Sequence, residues 1–288
     1  MMAPLLLVLK VAVGALLCAI GMGSTAADLT YLLRRPALLL RSLFAMYVAM
    51  PLAALAIVRV VPLPAGVPTA ILVLAISAGA PLLPRKLMKL GREGYVFSLV
   101  VLSSLLAVVA VPAWLAVLGP FFGRESEVGP RAVALLVGKA ALAPLFAGML
   151  LRPLLAGHAD RVSDWVLKAA GGVLTIAGIT LLALNIPLLV AIGWVAFLAF
   201  AGITTLALGI GHALGGPDRD DRTALAVSCA TRHIGIAMLA ASAAPGPRTV
   251  ALVLAYLVSA AVVTILYLKW RARGAPASSA RSENRSHA

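Results

Sequence analysis

Charge is what this sequence has least of. Only 12% of its 288 residues are charged, and 10 acidic side chains face 24 Lys and Arg. With 62% of residues apolar and a mean hydropathy of +1.05, the chain cannot cover a soluble surface with polar groups, and its composition is that of a protein dissolved in a bilayer. The 2 cysteines, Cys18 and Cys229, both lie inside apolar runs, which excludes a disulfide framework and a thiolate metal cluster. Scarce carboxylates also exclude paired-carboxylate catalysis, and no phosphate-cradling glycine loop is present. The net charge of +14 does not indicate nucleic acid: no soluble domain carries a basic face, and membrane loops collect Lys and Arg on one side.

Apolar runs are plentiful. Windows of about 20 residues, enough to cross the hydrocarbon core, number nine: about 4 to 23, 37 to 61, 66 to 84, 95 to 119, 132 to 151, 165 to 186, 188 to 211, 223 to 244 and 249 to 268. Only Asn185 and Pro187 mark the cut between the sixth and seventh. Residues 1–268 read as one transmembrane domain, and residues 269–288, closing on ARGAPASSARSENRSHA, as a disordered cytoplasmic tail.

Fifteen Lys and Arg between Arg34 and Arg273 fall on one side of this alternation. Four, Arg59, Arg124, Arg131 and Arg248, fall on the other. The bias predicts a C-terminus in the cytoplasm and an N-terminus outside, in a plasma membrane of bacterial type. The competing reading of the first 26 residues as a cleaved leader would leave the Arg34–Arg35 loop outside. The stretch also has no basic residue ahead of its apolar part, so it counts as the first span.

On this reading every acidic residue falls in a loop or the tail, and the spans retain three cations, Lys10, Lys139 and Arg232. An Arg at mid-span costs about 3 kcal/mol even on a lenient insertion scale. With no carboxylate in any span, its partner is a backbone carbonyl freed by a helix break, water in a cavity, or an arriving anion. Lys10 and Lys139 suit either snorkelling to the interface or a cavity lining. Arg232 lies deeper, in SCATRHIGIAM: consecutive Thr231, Arg232 and His233 cannot share one helix face, and Gly235 follows. The alternatives are a binding site on an unwound helix or a structural residue at a break. The third span carries a second cluster of breakers, AISAGAPLLPRK, with Ser77, Gly79, Pro81 and Pro84. Interruptions at corresponding places in two halves indicate an inverted-repeat transporter whose site lies where they cross.

GALLCAIGMGSTAADLTYLLRRPALLLRSLFAMYVAMPLAAL resembles the opening helix pair of the bile acid:sodium symporter family. ISAGAPLLPRKLMKLGREGYVFSLVV and TALAVSCATRHIGIAMLAAS resemble its two broken helices. The resemblance, over about residues 4 to 268, implies an all-α integral membrane fold of panel and core subdomains. It further implies two crossing discontinuous helices, a ten-helix plan without its first helix, and alternating-access transport of organic anions.

Two departures from the family pattern bear on ions. Where the first broken helix resembles S-P-G-G-x-x-S-N, this chain has Leu83 and Pro84 at the Ser-Asn ligands; where the second resembles E-x-G-x-Q-N, Ser228 replaces Glu and Arg232-His233 replaces Gln-Asn. Of two hydroxyl ligands on the next helix, Ser98 matches and Leu102 does not. Ser98 and Ser228 are thus the residual candidates for an ion, and a cation beside Arg232 would be repelled. The expected substrate contacts are Arg232, His233, Thr231, Ser228, Ser77, Gly79 and Lys139, with Arg232 holding an acidic group through its planar fork. His233 is either a proton-coupling group or a donor to a loose carbonyl. No cofactor or metal is expected. The rival enzyme reading, with Ser228 or Cys229 as nucleophile and His233 as base, lacks an orienting third group.

Overall fold

Long apolar stretches with few breakers form helices because a bilayer leaves no other way to satisfy their backbone groups. The computed structural model describes residues 2–77, 93–122, 130–155, 157–184, 186–232 and 249–273, which are helices and their connections. They are α1 (Met2–Gly23), the short α2 (Ala26–Leu29), α3 (Pro36–Phe44 continued by Met50–Val60), α4 (Val67–Ile76) and α5 (Glu93–Phe122). Then follow α6 (Pro130–Val137 continued by Ala143–Leu154), α7 (Ala159–Leu184), α8 (Ile186–Ile192), α9 (Trp194–Leu214), α10 (Arg219–Ala230) and α11 (Thr249–Arg273). Six are long and apolar enough to cross a membrane: α3, α5, α6, α7, α9 and α11.

Prolines explain the irregular turns of α3 and α6. Each contains a single π-helical turn, Ala45–Ala49 ahead of Pro51 and Gly138–Leu142 ahead of Pro144. A proline inside a helix removes one donor and collides with the carbonyl four residues back, and a widened turn accommodates both faults. In α3 the freed carbonyl is that of Tyr47, and Trp114 Nε1 of α5 donates to it at 2.8 Å. The Tyr47 hydroxyl in turn donates to the Ser103 carbonyl, so α3 and α5 are joined twice at this depth.

Packing separates two groups of helices. In the first, α1 lies against α6 and α7. A Cβ on Gly21 would stand 2.0 Å from the Leu145 carbonyl oxygen, and one on Gly148 would stand 1.9 Å from that of Cys18. Only glycine lets the two backbones meet this closely. The C-terminal end of α1 is held by Ser163 Oγ donating to the Ala19 carbonyl at 2.7 Å and Arg152 donating to that of Met22 at 2.6 Å. In the second group, α4 is surrounded by α3, α5, α9 and α11, and from Ala70 to Ile76 every residue is buried. The adjoining α10 is buried from Thr223 to Ala230 and touches α9 closely, since a Cβ on Gly211 would reach within 2.5 Å of the Ala226 Cα.

Several expectations need correcting. The window expected to begin at 188 is a long helix, α9, only from Trp194, because Gly193 at φ 82° breaks the chain after α8. The last helix runs through Lys269 to Arg273, beyond the predicted start of the tail. Arg271 holds that final turn down, donating to Thr223 Oγ1 at 3.0 Å and to the Arg219 carbonyl at 2.6 Å. The acidic residues are not all in loops: Asp28, Asp160, Asp220 and Asp221 stand in first helical turns, where carboxylates favour the positive helix end. Asp221 is 3% exposed and pairs with Arg35 at 3.8 Å.

Candidate functional site

Both half-length helices end at the same place. α4 stops at Ile76, and its C-cap Ser77 has left helical geometry at ψ 60°. α10 stops at Ala230, with Thr231 extended at ψ 143°. The helix end at Ala230 falls at the start of the stretch, Ala230 to His233, over which an interruption is expected. Gly79, Pro81 and Pro84 in the third span, and His233 and Gly235 in the eighth, lie outside the described residues.

Arg232 follows directly on the end of α10 and is 6% exposed. Its Nη1 donates to the Ala75 carbonyl oxygen of α4 at 3.4 Å, a long bond. Among the described residues its Nη2 is buried without a hydrogen-bond partner, and the guanidinium lies beside the Tyr256 hydroxyl. Tyr47 of α3, Cys229 of α10 and Tyr256 of α11 lie within reach of its charge. Tyr256, buried against Phe200 in an edge-to-face contact with centroids 5.9 Å apart, donates its hydroxyl to the Ala230 carbonyl at 2.6 Å. The last carbonyls of both half-helices thus accept bonds from side chains where intrahelical donors run out. An unmade bond on a buried guanidinium is costly.

The other expected site residues divide. Ser228 and Ser77 are fully buried near the same ends, but each hydroxyl donates back within its own helix, to the Ala224 carbonyl at 2.7 Å and the Val73 carbonyl at 2.6 Å. Thr231 likewise donates to the Val227 carbonyl. Ser98 stands elsewhere, under the α2 link: its hydroxyl donates to the Leu29 carbonyl at 3.0 Å and accepts from the Leu32 N–H at 3.2 Å. Its bonds fasten the link to α5. Lys139 occupies the π-turn of α6 on an exposed face, and Lys10 is exposed on α1, both on the helix group away from Arg232.

Sequence reasoning missed Ala75, Tyr47 and Tyr256. For Tyr47 a signal existed, since it stands four residues before Pro51 in an apolar run. Tyr256 is likewise a hydroxyl inside an apolar span that needs a partner. Among the described residues no group of three or more His, Cys, Asp or Glu could hold a metal ion.

Among functionally curated proteins none matches this sequence. A family model, the sodium bile acid symporter family, matches residues 10–207, which takes in α1 to α9 up to Ala207 and stops short of α10 and Arg232. That match covers well over half of the chain and agrees with the apolar helices and opening motifs, so this integral membrane protein belongs to the sodium bile acid symporter family of transporters.

Proposed function

We propose that the protein is a secondary transporter of small organic anions working by alternating access, with Arg232 binding the acidic group of the solute. The observation that carries this reading is the buried Nη2 of Arg232, which has no partner among the described residues, a charged donor that no described carboxylate meets. A carboxylate or sulfonate would take that donor and, through the planar fork, a second one beside it. In this reading α1, α6 and α7 form the panel against which the group around α4 and α10 moves. The chain crosses the membrane nine times, with its N-terminus outside and its C-terminus in the cytoplasm.

Cation coupling receives little support from the side chains. The positions of the family's Ser-Asn and Glu ligands are held by Leu83, Pro84 and Ser228, Ser98 lies under the α2 link rather than beside Arg232, and Arg232 already supplies a cation at the helix ends. Transport is therefore independent of sodium, and a role for protons falls to His233.

The test is uptake by proteoliposomes of a panel of organic anions, with sodium and pH gradients imposed separately. Saturable uptake unchanged by removing sodium is the expected result. Arg232→Gln should abolish it with the fold intact, and Arg232→Lys should weaken affinity by about 1–3 kcal/mol through loss of the fork. His233→Gln should leave binding in place but flatten its pH dependence. Strict sodium dependence would overturn the coupling part, and undiminished anion uptake by Arg232→Gln would overturn the site.

A further inference from the structure

A helix ends in carbonyls without intrahelical partners, and its macrodipole places roughly half a negative charge there. Two such ends converge beside Arg232. One is that of α4, whose Ala75 carbonyl accepts from Nη1 at 3.4 Å. The other is that of α10, which stops at Ala230, two residues before the arginine. Two ends sum to about one negative charge, which in a membrane interior calls for a positive one. The guanidinium supplies it from within the chain, and among the described residues no carboxylate contacts it.

We propose that Arg232 is a resident cation. Its charge neutralises the converging carbonyl ends of α4 and α10, so that this junction binds no cation from solution. Removing the charge alone creates a requirement for a free monovalent cation there. The proposal goes beyond the identity of the solute, because it concerns the empty protein. Resting on the anion-carrier reading, it also fixes how the anion is recognised: by the unused Nη2 donor rather than by a surplus of positive potential, since the guanidinium and the described helix ends offset each other before the anion arrives.

Tyr256 belongs to the same device. By donating to the Ala230 carbonyl at 2.6 Å it occupies one acceptor at the α10 end and holds that end in place. It carries no formal charge, so the compensation falls on the arginine.

The experiment is the thermal melting of purified, solute-free protein in sodium, potassium and choline chloride at equal ionic strength. The native protein and Arg232→Lys should melt at the same temperature in all three salts. Arg232→Gln should melt lower in choline and regain about 3 °C or more in sodium or potassium, by mass action of a ligand bound only to the folded state. The proposal is overturned if Arg232→Gln melts identically in all three salts, or if Arg232→Lys responds to alkali cations as Arg232→Gln does. It is equally overturned if sodium stabilises the native protein over choline. Should Arg232→Gln give no folded protein when purified in choline, its recovery in sodium or potassium supports the proposal; failure in every salt overturns it. No transport is measured, so this outcome is separable from the fate of the anion-carrier reading.

Discussion

The two helix groups are held together in opposite ways. Between α1 and α6 the backbones press on each other at Gly21 and Gly148, and α6 and α7 turn most of their surface outward: only 22% of the α6 window and 18% of the α7 window is buried. Around α4 and α10 the deep contacts are side chains reaching for loosened carbonyls, Trp114 to Tyr47, Tyr256 to Ala230 and Arg232 to Ala75. Backbone contact of the first kind leaves no room for adjustment. Hydrogen bonds to helix ends can be exchanged for others, which is what a site that admits and releases a solute requires. The difference teaches that the candidate site lies where regular helix stops, and that the rigid block beside it is built from absent side chains.

That comparison can be broken most severely at Gly148. Gly148→Ala places a methyl group against the Cys18 carbonyl and should cost roughly 3 kcal/mol, read as loss of folded protein in detergent. If Gly148→Ala melts like the native chain, the backbone contact is not what holds the block. Trp114→Phe keeps an aromatic ring but leaves the Tyr47 carbonyl without its donor, an expected loss of about 1–3 kcal/mol by thermal melting. Tyr256→Phe should be milder, about 1 kcal/mol, yet it should raise KM for the transported anion because the end of α10 and the adjoining Arg232 are less firmly placed. A rise in KM with kcat preserved would sharpen the distinction between positioning and purely structural bonds. Smallest of all is Lys139→Met: this cation is exposed on α6, on the helix group away from Arg232, and uptake should not change.

Much of the helical plan was legible because apolar length is a strong signal in a chain with few charges. The windows for α1, α3, α5, α6, α7 and α11 fall on the observed helices within several residues. The late start of α9 was not legible, since a glycine with positive φ reads like any small residue in GWVAFLAF. The ends of α4 and α10 were foreshadowed by breakers near Gly79 and His233, and both helices stop at or before those residues. At the site, the burial and need of Arg232 followed from the missing carboxylates. Its neighbours did not: Ala75 is 157 positions away in the chain, and nothing local marks a carbonyl as the one to be met. Ser98 shows the converse. Its residue type suited an ion ligand, but the link backbone that takes up its hydroxyl comes from 69 positions earlier.

The close backbone contacts at Gly21 and Gly148 have a genetic consequence. Compensating mutations ordinarily work by shrinking one side chain to make space for a larger one opposite. Here each glycine faces a carbonyl of the main chain, which no codon change can trim. A second-site suppressor of a Gly148 lesion is therefore not expected at Cys18 or Gly21. It should map to residues that let α1 slide or tilt as a whole, such as Ser163 and Arg152, whose bonds to the Ala19 and Met22 carbonyls fix the height of that helix.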